Sequence, residues 1–196
     1  LVKAGTTGLS FGKEGQLYPI LYGNIVKVQI GAHGKRELLR RMPNVKHIGE
    51  GQVVRKGDEF KHDKANNKIL VHVTADKEAP LTLDNIRAAY FRIIWKDNDF
   101  TDVVVYHDEI VKAKSKSKMQ SEQSTWNNWH GQMSVKVAYN RGYKLYYSPP
   151  QAEVEGLKEY EAEEDDEEVI VPTQDVPHQE VKVVTEGTSE IDEFLK

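Results

Sequence analysis

The sequence predicts a mixed α and β fold of hairpin-linked strands and a few helices, followed by a polar, acidic tail. Three observations carry this. Apolar, β-prone runs come in pairs around turn residues, as in IRAAYFRIIW (86–95) and FTDVVVYH (100–107) flanking KDND. Two segments, GKRELLRRM (34–42) and STWNNWHGQMSVKVAYNR (124–141), repeat apolar residues at helical spacing. After Pro149-Pro150 the composition shifts to acid-rich and poorly apolar.

In chain order, QLYPILY (16–22) and NIVKVQI (24–30) read as strands about a Gly23-Asn24 turn, with Pro19 marking the first as an edge or interrupted strand. Residues 34–42 form a short amphipathic helix with Leu38, Leu39 and Met42 on one side, ended by Pro43. Glu37 and Arg41 stand one turn apart and can pair. Residues 51–74 give two or three strands, with turns at Lys56-Gly57-Asp58 and Asn66-Asn67. The hairpin of residues 86–107 follows. DEIVKAKSKSKM (108–119) opens as a helix with acids in its first turn and frays into a lysine-serine run. Residues 124–141 predict one helix, capped by Ser124 or Thr125, with Trp126, Trp129, Met133 and Val137 on one face and Gly142 at its end. Two units are expected: a core over 1–150 and a mostly disordered tail over 151–196. The end EIDEFLK is a frayed terminus or a docking segment.

Composition narrows the function. The chain has 196 residues, 38% apolar and 30% charged. It opens on Leu1 rather than Met, so missing upstream sequence is the expectation. No apolar run approaches the roughly 18 residues of a membrane span, and no signal-peptide pattern opens the chain. The absence of cysteine excludes disulfides and thiolate metal sites. The net charge of −4 conceals a split: residues 151–196 hold 16 acids and 3 bases, leaving 15 acids and 24 bases in residues 1–150. A basic body with an acidic tail suits a nucleic-acid binder, though other proteins share the layout.

No catalytic constellation emerges, and no metal site is expected. GAHGKR (31–36) resembles a phosphate loop but has two residues, not four, before its Gly-Lys, and Arg36 where Ser or Thr belongs. Glu59-Phe60-Lys61 is half of a metal-dependent nuclease site, but Asp58 would point to the other face of a strand. Its plainer reading is a hairpin start with solvated charges. No histidine pair has zinc-ligand spacing, and His33 is a loop residue or a phosphate contact.

The cations remain. Lys35, Arg36, Arg40 and Arg41 crowd the first helix. Lys112, Lys114, Lys116 and Lys118 alternate in a run that is either a solvated loop or an arm closing on a phosphate backbone. Lys136, Arg141 and Lys144 form a third set. Taken together, the three sets favour a polyanion. Trp126 and Trp129 could stack on bases, although a Trp-Trp-Met stripe at helical spacing is more often core.

Four segments in order, GLSFGKEGQLYPILYGN (8–24), VQIGAHGKRELLRRMPNVKHI (28–48), VVRKGDEF (53–60) and WNNWHGQMSVKVAYNR (126–141), resemble the RecT branch of the RecT/Redβ superfamily of phage single-strand annealing proteins. The likeness covers roughly residues 8–145. It includes Trp126, Met133 and Lys136 at the opening of the last core helix. It departs at His33, where the family has lysine, and at Lys35 and Arg36, where it has apolar residues. The family's N-terminal helical segment is mostly absent.

The resemblance implies an α+β fold: an antiparallel sheet packed by helices, with a basic DNA-binding groove alongside. It implies a homo-oligomer, ring or helical filament, that holds single-stranded DNA, pairs a complement onto it and carries the annealed duplex. No nucleotide cofactor and no covalent chemistry are expected, and the setting is the bacterial cytoplasm, at the nucleoid. Expected DNA contacts are Lys35, Arg36, Arg40, Arg41, Lys112, Lys114, Lys116, Lys118, Lys136, Arg141, Lys144 and Trp126, with Arg41 and Lys136 nearest to family positions. The tail is either solubilising, or a DNA mimic or docking arm for a phage exonuclease or single-strand-binding protein. Two other readings stand: a non-annealing single-strand binder and a metal-dependent nuclease at Glu59 and Lys61.

Overall fold

The computed structural model describes residues 5, 7–12, 15–22, 25–75, 80–117, 121 and 124–149. The tail expected over 151–196, and Lys118, lie outside the described residues.

Strands β1 (Leu17–Tyr22) and β2 (Ile25–Ile30) pair antiparallel from Leu17 opposite Ile30 to Tyr22 opposite Ile25. Helix α1 (Ala32–Arg40) follows after Gly31 alone, so it begins two residues before the predicted start. The two glycines of GAHG serve packing. A Cβ on Gly31 would lie 2.3 Å from the Gly15 carbonyl oxygen, and one on Gly34 2.3 Å from that of Gln16. The Gly31 N–H donates to the Gln16 carbonyl at 2.9 Å. The first turn of α1 is thus pressed against the chain entering β1, where Leu9, Leu17 and Leu38 form a small core.

The main sheet is built on β7 (Ile86–Trp95). Strand β8 (Phe100–Tyr106) pairs with it antiparallel, as the turn residues predict; Asn98 takes the left-handed conformation at φ 67°. Along the other edge of β7 lie β3 (Val45–Ile48) and β4 (Gln52–Arg55), end to end. Strand β3 is not among the predicted elements. Between the two, the Gly49 N–H still reaches the Arg92 carbonyl at 2.7 Å. Strands β5 (Glu59–Asp63) and β6 (Lys68–Val73) form a separate hairpin, so the 51–74 segment resolves as three strands. Its turns sit at Gly57 and Asn67, both at positive φ.

Alternation along β7 and β8 splits the sheet into two buried faces. Ile86, Ala89, Phe91, Ile93, Val103 and Val105 face the helices. Ala88 and Val104 face the β5–β6 hairpin, which covers them with Phe60 and Ile69. The helical layer comprises α1, α2 (His107–Ser115), the single turn α3 (Thr125–Asn128) and α4 (His130–Tyr146). Leu39, Ile110, Trp126, Met133, Ala138 and Tyr139 supply its buried side. The order is helices, sheet, hairpin: an α+β fold with antiparallel pairing throughout the described strands.

Two expectations about the last helix are corrected. It does not run unbroken over 124–141. Asn127 and Asn128 are weak helix formers, and Trp129 leaves helical geometry at φ −133°, ψ 51°. The helix also does not stop at Gly142 but continues to Tyr146. That glycine is an interior packing position, because a Cβ there would lie 2.4 Å from Cζ of Phe91, which is fully buried.

Candidate nucleic-acid interface

The cations of α1 are held by one acid and one loop. Arg40 donates to both Glu37 carboxylate oxygens at 2.7 Å, and Arg41 Nε to one of them at 2.9 Å. These two guanidiniums, Arg40 foremost, hold the Glu37 carboxyl at about 2, well below its ordinary range. Arg41 reaches further. Its Nη1 donates to the Thr7 carbonyl at 2.8 Å and its Nη2 to the Gly8 carbonyl at 3.3 Å. It therefore anchors the segment before β1 as well as presenting charge. Arg36 pairs with Glu50 at 2.6 Å, from the loop between β3 and β4.

Helix α1 lies beside α4, and tyrosines line the seam. Lys35 Nζ stands 5.6 Å from the Tyr143 ring centre, and the Arg36 guanidinium 5.6 Å from that of Tyr139. Tyr143 and Tyr147 stack at 4.6 Å. Cations over tyrosine faces gain from the ring quadrupole. Tyr139, Tyr143 and Tyr147 recur every fourth residue through the last turns of α4 and the residue after it, a spacing visible in the sequence; the sequence reading gave the tyrosines no role.

Lys136, Arg141 and Lys144 project from α4. At 100° per residue they fan over about 140° of the helix, away from Ala138 and Gly142 on the buried side. Arg141 pairs with Glu109 of α2. Helix α2 carries Lys112 and Lys114, followed by Lys116; Lys114 Nζ donates to Asn127 Oδ1 of α3 at 2.9 Å. The lysine run is therefore helical through Ser115, with Lys112 and Lys116 exposed.

The described cations from all three sequence sets thus lie on helices of one layer or at their C-terminal ends, on one face of the sheet. The adjacent pair α1 and α4 concentrates them. Counting Arg41 at its end, α1 holds four bases and one acid, Glu37; α4 holds three bases and no acid. Seven bases against one acid leave an excess of positive charge on these two helices, offset at Arg40 and Arg41 by Glu37, at Arg36 by Glu50 and at Arg141 by Glu109.

Trp126 does not belong to this surface. It is 1% exposed, inside the core with Phe91 and Met133, so no base can reach its ring. The helix break sends its neighbour the other way: Trp129 is 58% exposed.

The nuclease fragment is dispersed by its own contacts. Buried Asp58 accepts from the backbone N–H groups of Arg55 at 2.7 Å and Ala75 at 3.0 Å, and lies 3.3 Å from His72 Nε2. Glu59 instead pairs with Lys61 at 3.5 Å on the exposed side of β5. Among the described residues, no group of three or more histidines and acids could hold a metal ion. Nor is any described helix long and apolar enough to cross a membrane.

The RecT family model matches residues 1–177, beyond the 8–145 stretch in which the motifs are visible and into the acidic tail. No curated protein matches the chain. With the match spanning most of its length, the chain belongs to the RecT family, whose members are phage-related, DNA-binding single-strand annealing proteins of recombination.

Proposed function

We propose that this chain binds single-stranded DNA across the α1–α4 face and promotes its pairing with a complementary strand, without nucleotide hydrolysis. One observation carries the reading: two adjacent helices hold seven bases and one acid, an excess that remains after Glu50 and Glu109 of other elements each pair with one base. Two DNA strands repel through their phosphates, and cations that neutralise them lower that barrier. Stacking in the new duplex releases about 1.4 kcal/mol per step, so pairing runs downhill once the strands are aligned. The protein's task is alignment and charge relief, which needs no nucleophile. Members of the family bind single-stranded DNA and form oligomers, and a ring or helical filament would extend the basic face along a strand. The proposed contacts are Lys35, Arg36, Arg40, Arg41, Lys136, Arg141 and Lys144, with Lys112, Lys114 and Lys116 at the flank. We place the activity in the bacterial cytoplasm, at the nucleoid, with a phage exonuclease or single-strand-binding protein as the tail's partner.

The test mixes two labelled complementary oligonucleotides with the protein. An annealer speeds duplex formation; a coating single-strand binder slows it. Lys136→Ala combined with Lys144→Ala should weaken binding and flatten the dependence of log K on log salt by about 0.7 per lost contact. Arg41→Ala is the less clean probe, because Arg41 also holds the Thr7 and Gly8 carbonyls. If the double variant anneals as the parent does, with an unchanged salt slope, the face is misassigned. Loss of labelled strand with magnesium, abolished by Glu59→Ala, would instead favour a nuclease.

A further inference from the structure

Two tryptophans three residues apart would share one face of an unbroken helix, and both would be buried against the sheet. Here the helix breaks between them and they part. Trp126 enters the core at 1% exposure, while Trp129 stands at 58%. The visible product of the break is one large indole turned to solvent.

The chain on either side of that residue carries cations. Lys114 Nζ is held on Asn127, two residues before it. Lys136 lies on α4, seven residues after it. Helix α4 contributes no acid. A flat, exposed aromatic surface on a helical layer that carries lysines suits a ligand that has both a π-face and a negative backbone.

We propose that Trp129 is a stacking platform for an unpaired base of the bound strand. This rests on the single-strand reading above and adds to it a contact with bases rather than phosphates. Stacking of this kind accepts any base, as pairing of arbitrary sequences requires. It also holds a base splayed from its neighbours until a complement arrives.

The experiment uses the full chain and two fluorescein-labelled strands of equal length and charge, one normal and one with its interior bases removed. Trp129→Ala should weaken binding to the normal strand by about fivefold or more, with the salt slope unchanged. On the abasic strand the same substitution should cost less than twofold. Trp129→Phe should restore most of the affinity. Binding of the normal strand should quench the indole emission of the parent, and this change should vanish in Trp129→Phe, where Trp95 and Trp126 remain to report an intact fold. Equal losses on both strands, or no loss on either, overturn the stacking role while leaving phosphate binding intact. Failure of the parent chain to bind any single strand overturns both readings.

Discussion

One buried carboxylate helps to tie the two β layers together. Asp102 on β8 is 1% exposed. It accepts from Arg92 Nε at 2.7 Å and Nη2 at 2.8 Å across the β7–β8 ladder, and from the Ile69 N–H of β6 at 2.7 Å. The Arg92 side chain is 38% exposed, so water screens part of the ionic attraction. The amide bond lies on the buried side and is not screened in this way. Asp102→Ala would leave the Ile69 N–H orphaned beneath the hairpin, at a cost of about 2–3 kcal/mol. Asp102→Asn keeps an acceptor but loses the charge-assisted geometry, costing about 1–2 kcal/mol. Urea denaturation of both variants checks this, together with amide hydrogen exchange at Ile69, which should quicken. A change below about 0.5 kcal/mol in the alanine variant would mean that the remaining ties, the apolar contacts of Phe60 and Ile69, the Lys68–Asp99 pair and the Asp102 N–H on the Asn67 carbonyl, hold the hairpin without this carboxylate. The same scale explains Trp126 and Trp129. Spacing makes them equivalent, and only the backbone angles of one residue separate a core ring from an exposed one.

Among the elements, α4 sets the position of the basic face, and Gly142 sets the height of α4 on the sheet. Replacing it with alanine would gain about 1 kcal/mol of helix propensity. Against this, the new methyl would meet Phe91, which is fully buried and cannot yield. Overpacking of a tight core costs about 1–3 kcal/mol, so the packing term wins. Gly142→Ala should lower the melting temperature, and Gly142→Val should lower it further; a rise in either would show that α4 can shift freely on β7. The case also shows where the sequence was readable. Gly57, Asn67 and Asn98 mark turns because each adopts positive φ, a local demand that residue type reveals. The hairpins turned at Asn67 and Asn98 were therefore legible, as was the end of β4 at Gly57. Gly142 has no such demand: glycine at a helix end and glycine under a phenylalanine look alike until the partner is known. Strand β3 is buried at its two ends and exposed between them, so no period-two alternation announces it. The cations were legible as a group, but their acids were not. Arg36 meets Glu50 from another element, and Arg141 meets Glu109 across the helical layer. Such pairings belong to the tertiary fold, where periodicity says nothing.

At the scale of the molecule, charge is divided along the chain: 24 bases and 15 acids in residues 1–150, and 3 bases and 16 acids in residues 151–196. A tethered polyanion competes with DNA for any basic face it can reach. A covalent tether gives an effective concentration of about 1 mM, and non-specific polyanion binding has a dissociation constant of about 0.1 mM at the weak end. Those two values predict that the tail lowers apparent affinity for single-stranded DNA by about tenfold. Salt should erase the effect, since the Debye length falls to about 10 Å at 0.1 M and about 3 Å at 1 M. The measurement compares the full chain with one ending at Pro150, by fluorescence anisotropy on one oligonucleotide across a salt series. Self-competition requires the shorter chain to bind more tightly at low salt and the two curves to converge as salt rises. Coincident curves at about 50 mM salt would remove the tail from the basic face and leave it the role of docking arm or solubilising segment. A constant offset at every salt concentration would point instead to an effect on assembly, because a change in subunit association need not scale with the screening of phosphate contacts.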